Sequence, residues 1–133
     1  PSHLTATGRA ILSALPRNQV RALYPNRQAF TDRTGIGPKS PKELEATLAE
    51  TQRTGFAEEH GDVTPGFDSY AVAVRDYNDF PIAGLALTFV SGSLRPEQER
   101  SLKTKLRLAG TELSRRLGAV GSFGPPGGGQ VTG

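Results

Sequence analysis

Between Gly66 and Val90 the chain reads G-F-D-S-Y-A-V-A-V-R-D-Y-N-D-F-P-I-A-G-L-A-L-T-F-V, and this stretch limits what the rest can fold into. Two apolar, β-rich runs, Tyr70 to Val74 and Ile82 to Val90, are separated by Asp76-Tyr77-Asn78-Asp79. A break rich in Asp and Asn between such runs predicts a hairpin. The small residues Ala71, Ala73, Ala83, Gly84 and Ala86 leave room on at least one face for a helix or a ligand.

Helical signals lie on both sides of this hairpin. Ser40-Pro41-Lys42-Glu43 has the form of a capping box with proline at the first helical position. Leu44, Leu48 and Ala49 mark the inner face of the helix that follows, and Gly55 marks its end. Arg95-Pro96-Glu97 opens a last helix in which Leu102, Leu106, Ala109, Leu113 and Leu117 form one apolar stripe, facing the sheet or a partner helix. Its other side carries Arg100, Lys103, Arg107, Arg115 and Arg116, expected to be solvated.

Nearer the start, Leu4, Ile11, Leu12 and Leu15 have helical spacing behind Thr5 or Thr7 as N-cap, and Pro16 stops the helix. A short second helix runs from Arg17 to Tyr24, followed by a loop over 26–39 that Phe30 and Ile36 pin to the body.

Composition excludes several classes of function. With 133 residues the chain fits one domain able to bury a core, and it has no cysteine for a disulfide, a thiol nucleophile or a thiolate metal site. No apolar run approaches the ~18 residues of a membrane span, and the opening P-S-H-L-T-A-T-G-R lacks a signal-peptide layout. The sequence is therefore read as cytoplasmic, with no membrane partner, no cofactor and no metal. Its 16 basic and 13 acidic residues are interspersed, without the basic stripe and interleaved aromatics of a nucleic-acid surface.

Three small groups could carry chemistry. The free N–H groups of a helix starting near Thr5, Ala6 and Thr7 suit a small anion, although an ordinary helix start packed on the sheet has the same sequence. Glu58, Glu59, His60 and Asp62 have the residue types of a metal site or an acid/base pair, but a solvated acidic turn is the plainer reading. With only His3 and His60 in the chain, a His-rich metal site would need both. Ser69 with His60 and Asp62 is the one conceivable nucleophilic set, and no G-x-S-x-G elbow surrounds Ser69.

In order, the chain contains H-x-T-x-x-G-R-A-I-L-S-A-L-P, a capped helix ending R-T-G-F, an acidic turn, P-G-F-D-S-Y-A-V-A-V and F-P-I-A-G-L-A-L-T. It closes with L-R-P-E before a helix ending E-L-S-R-R-L-G. Together these motifs, spanning about residues 3 to 118, resemble the C-terminal effector-binding domain of IclR-type transcriptional regulators.

That resemblance implies an α+β fold, a GAF-like antiparallel sheet flanked by helices, lacking in this chain the strands that precede the H-x-T motif in the family. It implies a partial effector-binding domain over residues 1–118, with a disordered Gly/Pro-rich tail over 119–133. It also implies a homo-oligomer, a dimer or tetramer, that contacts DNA only through an N-terminal winged helix-turn-helix absent from this chain.

The family's ligand pocket maps onto Ala6 and Thr7, whose backbone N–H groups would hold a carboxylate, and onto Glu59, Ser69, Ala86 and Thr88. Phe67 would stand beside it and add apolar bulk. The implied effector is a small organic or aromatic acid, somewhat more apolar than a two- or three-carbon keto acid, because Ala86 removes a hydroxyl. The alternatives are an oligomerisation module without ligand and a Ser-dependent hydrolase.

Overall fold

The computed structural model describes residues 1–119. From residue 120 onward, the tail expected over 119–133 lies outside the described residues. In chain order the elements are α1 (Ala6–Ala14), α2 (Arg17–Leu23), a 3-10 turn (Arg27–Ala29), α3 (Pro41–Thr54), β1 (Ala57–His60), β2 (Phe67–Arg75), β3 (Pro81–Val90) and α4 (Pro96–Arg116). The strands form one antiparallel sheet in the order β1-β2-β3.

The β2–β3 hairpin forms where the two apolar runs predict it. Its turn closes with Asp79 N donating to Asp76 O at 2.9 Å, while Asp76 Oδ1 accepts from Asn78 N and Phe80 N. The side-chain oxygen of Asp76 thus satisfies two turn amides, the usual reason for aspartate at such positions. A register shift between Val74 and Arg75 ends the regular ladder.

Side chains alternate across a strand, so the register assigns each residue a face. Ala57, Ala71 and Ala86 line up on one face, as do Ala73 and Gly84. Against this face lies α1, its Ala6 and Ala10 packed on Ala57, Ala71 and Ala73. The approach is close: a Cβ at Gly84 would stand 2.4 Å from Thr7 Cγ2. The small residues of the hairpin therefore admit a helix. Ala83, paired with Val74, belongs to the opposite face and is exposed.

On that opposite face α4 packs through Leu106 onto Phe56, Tyr70 and Val72. The apolar stripe expected on this helix is only partly the one it buries. Leu106, Gly110 and Ser114 point inward, while Ala109, Leu113 and Leu117 are exposed, the two leucines to 42% and 41%. Two contacts explain this rotation. A Cβ at Gly110 would lie 2.6 Å from Val72 Cγ2, so the missing side chain lets the helix settle onto the sheet. Ser114 Oγ accepts from Arg75 N at 3.0 Å, satisfying an amide where the ladder loses register.

The basic side of α4 is likewise not merely solvated, since Lys103 Nζ reaches Glu58 at 2.8 Å and the Arg107 guanidinium stacks 4.6 Å from the Phe56 ring.

Ser40 caps α3, its Oγ accepting from Glu43 N at 3.2 Å. The return bond of the box lands one residue earlier than expected, from Lys39 N to Glu43 Oε2 at 2.7 Å. Gly55 ends the helix in the left-handed region at φ 83°. Leu44, Leu48 and Thr51 form the buried face, and Ala49, expected inside, is exposed. Leu12, Val20, Leu44 and Leu48 make a third cluster that joins α1, α2 and α3. The loop before α3 is pinned by Phe30, which packs on the His3 ring at 5.2 Å, but not by Ile36, which is 53% exposed. Among the described residues no helix is long and apolar enough to cross a membrane.

Candidate functional site

Glu59, Ser69 and Thr88 stand opposite one another on β1, β2 and β3, a single row across the sheet on the face that carries α1. Ser69 Oγ and Thr88 Oγ1 share a hydrogen bond of 2.8 Å. Above the row begins α1, capped by Thr5, whose hydroxyl accepts from Gly8 N at 2.9 Å. The amides of Ala6 and Thr7 have no acceptor among the described residues. A helix start of this kind presents free donors and the positive end of the helix dipole.

Between helix start and sheet lies a cavity of about 300 Å³, lined by Thr5, Ala6, Thr7, Glu59, Val63, Thr64, Ser69, Ala86 and Thr88. Six of the seven residues singled out from sequence meet here. Phe67, at the head of β2, is 43% exposed and is not part of this lining. A larger groove of about 390 Å³ runs between α3 and β1, and its lining contains none of the seven.

The acidic segment divides in two. Glu59 and Asp62 are buried, 5% and 4% exposed, so this is not the solvated turn expected from the charges alone. Glu59 Oε2 accepts from Asp62 N at 2.9 Å. The Asp62 carboxylate in turn pairs with the Arg9 guanidinium. Arg9 also donates to His3 O at 2.8 Å and to Glu58 O at 2.7 Å. One guanidinium thus ties the chain just before α1, the edge of β1 and the turn after it to one another. Nothing in the sequence pairs residues 53 positions apart, so Arg9 was legible only as part of the H-x-T-x-x-G-R motif.

Glu58 and His60 point to the other face. His60 Nδ1 lies 3.2 Å from Asp68 Oδ2, and its Nε2 lies 3.3 Å from Glu58 Oε2. Burial works against charge on the imidazole, but the carboxylates of Asp68 and Glu58 outweigh it and raise its pKa. Burial likewise acts against the Glu58 carboxylate, yet Lys103 and His60 bring its pKa below the usual value. The Tyr70 hydroxyl beside them is pushed up to about 12, by burial first and then by the charges of Glu99, Glu58 and Asp68.

These faces separate the conceivable catalytic set. Ser69 bonds Thr88, His60 bonds Glu58 and Asp68 on the far side of the sheet, and Asp62 is held by Arg9. His3 packs edge-on against Tyr24 and Phe30, and the described residues contain no cluster of three or more acidic or histidine side chains able to hold a metal ion.

The family described as bacterial transcriptional regulator IclR C-terminal matches residues 1–115. The chain belongs to the IclR family. The glycerol operon regulatory protein of Streptomyces coelicolor is 32% identical over 125 residues, 90% of this chain and 46% of that protein. The HTH-type transcriptional regulator XynR of Escherichia coli is 29% identical over 118 residues, 89% of this chain and 46% of that protein. The chain thus spans about half the length of the curated relatives it matches. Among solved structures, the Agobacterium tumefaciens repressor BlcR superposes with a TM-score of 0.81 at 30% identity, over 89% of this chain and 48% of that one. The α+β architecture, with α1 and α4 on opposite faces of the sheet, is that of an IclR C-terminal domain.

Proposed function

We propose that this IclR-type domain senses a small organic or aromatic acid and thereby biases the DNA binding of a transcriptional regulator in the bacterial cytoplasm. The observation that carries this reading is the cavity in which the unpaired amides of Ala6 and Thr7 meet the row Glu59, Ser69 and Thr88. A carboxylate takes the donors of the helix start, and the methyl groups of Ala6 and Ala86 contact the apolar part. Phe67, exposed at the rim of β2, is proposed to close over a larger acid. DNA contact belongs to a winged helix-turn-helix outside this chain, in keeping with relatives named as an operon regulator and a repressor.

Signalling requires that the acid bind one assembly state better than another, because equal affinities shift no equilibrium. Homo-oligomer formation is supported by the apolar side chains that α4 leaves exposed, Leu108, Leu113 and Leu117.

A thermal-shift screen against mono- and dicarboxylates and aromatic acids tests the proposal. At least one acid should stabilise the protein, and Thr88→Val should abolish that effect with the fold intact. Absence of a shift with every acid would favour an oligomerisation module without ligand. Turnover of an activated ester that disappears on Ser69→Ala would instead indicate a hydrolase.

A further inference from the structure

A groove of about 230 Å³ opens between α2 and α3, over the end of α1 and away from the cavity described above. Its floor is apolar, made by Leu12, Leu15, Val20 and Leu48, and Arg17, Arg21 and Glu45 stand at its rim. The rim is short of negative charge. Arg17 and Arg21, 70% and 61% exposed, share the one carboxylate of Glu45 at 3.1 Å each. Arg17 spends Nε and Nη2 on it, and Arg21 only Nε. A guanidinium has five N–H groups, so Nη1 of Arg17 and both Nη groups of Arg21 remain open to a second acid. The excess of positive charge continues along the chain. Residues 17–42 hold six basic side chains against the single acidic Asp32, and the exposed Arg27, Arg33 and Lys42 have no ion pair among the described residues.

We infer that this groove docks an acidic, amphipathic peptide segment of a partner protein, which seats one apolar side chain on Val20 and Leu48 and sets its carboxylates on Arg17 and Arg21. The groove is smaller than the roughly 300–1,000 Å³ of sites that enclose a whole small ligand, and it suits a single anchoring side chain. An amphipathic segment laid in a groove supplies such an anchor, with its polar side left for the rim. Nucleic acid fits less well, because a phosphate backbone has nothing to place on an apolar floor. A second copy of the chain fits less well too. It carries a net charge of +3, and its exposed Leu113 and Leu117 are flanked by Arg115 and Arg116.

A display library of short random peptides, selected on the full chain and followed by fluorescence anisotropy of the enriched sequences, tests this. Enriched peptides should combine Asp or Glu with Leu or Phe, and their binding should weaken as salt rises. Arg17→Glu with Arg21→Glu should weaken them about tenfold or more, since like charges then face each other. Ala49→Trp, which fills the groove from α3, should do the same. Both changes fall on exposed positions, and thermal melting checks the fold. Failure to enrich any peptide, enriched peptides without acidic residues, or affinities unchanged in the arginine variant would overturn the proposal. A change of oligomeric state in the arginine variant would overturn it in favour of a second copy, and duplex DNA that displaces the peptides would overturn it in favour of nucleic acid. If Ala49→Trp does not fold, the arginine variant alone decides.

Discussion

Arg9 and Asp62 form an ion pair in which both side chains are 5% exposed, linking the first turn of α1 to the turn after β1. The cavity between α1 and the sheet depends on it, because the same Arg9 holds the carbonyls of His3 and Glu58. The loop before α3 covers the pair closely: a Cβ at Gly37 would stand 2.8 Å from Asp62 Oδ2 and 3.4 Å from Arg9 Nη2. Thr34 Oγ1 donates to Asp62 O at 3.2 Å.

Removing one partner leaves a buried charge without compensation. Arg9→Met should therefore destabilise the domain by about 3–5 kcal/mol, read from urea unfolding. Adding Asp62→Leu should recover part of the loss, but not all of it, since two carbonyls still lack their donor. An Arg9→Met variant as stable as wild type would show that the pair is not formed in solution.

The contact between α1 and β3 is limited by one side chain. In Gly84→Ala the new Cβ meets Thr7 Cγ2 at 2.4 Å and Thr7 Cβ at 3.2 Å, so the helix start must retreat. Overpacking of this kind costs about 1–3 kcal/mol. Thr7→Ser removes the methyl and should rescue most of that cost in the double variant, a coupling that a double-mutant cycle measures directly. Additive effects would contradict the close approach.

The rotation of α4 can be tested with two leucines. Leu106 is 3% exposed and Leu113 is 42% exposed. Leu106→Ala should cost about 2–5 kcal/mol, whereas Leu113→Ser in the isolated domain should stay within about 0.5 kcal/mol. Comparable losses at both positions would mean that the sheet covers the leucine stripe after all.

Protonation of His60 ties β1 to β2 through Glu58 and Asp68. Its folded pKa is raised above the ordinary value of 6.5, so its contribution is fully present below that value and is lost as pH rises through the folded one. Burial opposes the Glu58 and Asp68 carboxylates, but Lys103 for Glu58, Ser91 for Asp68 and His60 for both outweigh it, so both stay ionised to lower pH than usual. His60→Gln should thus lower the urea midpoint at about pH 6 and have little effect at about pH 9. The same loss at both values would show that the imidazole contributes only by packing.

How much of this was legible beforehand differs from element to element. Ser40, Gly55 and the Asp76 turn act on groups within a few residues, and each placed its element close to where the structure has it. Strand alternation put Ala86 and Thr88 on one face, and the family motifs supplied Ala6, Thr7, Glu59 and Ser69, all of which line the same cavity. Phe67, expected beside the pocket, is 43% exposed and outside the lining, since a position on a strand does not say how far the neighbouring helix extends over it. By itself, then, the sequence determined the helix boundaries, the hairpin and the faces of its strands, since these follow from local backbone preference and a period of two. Only the tertiary structure decided that Asp62 belongs to Arg9, that Glu59 is buried beneath α1, and that α4 turns Gly110 and Ser114 inward. Burial and charge pairing depend on what a distant segment places overhead, and no window of neighbouring residues contains that information.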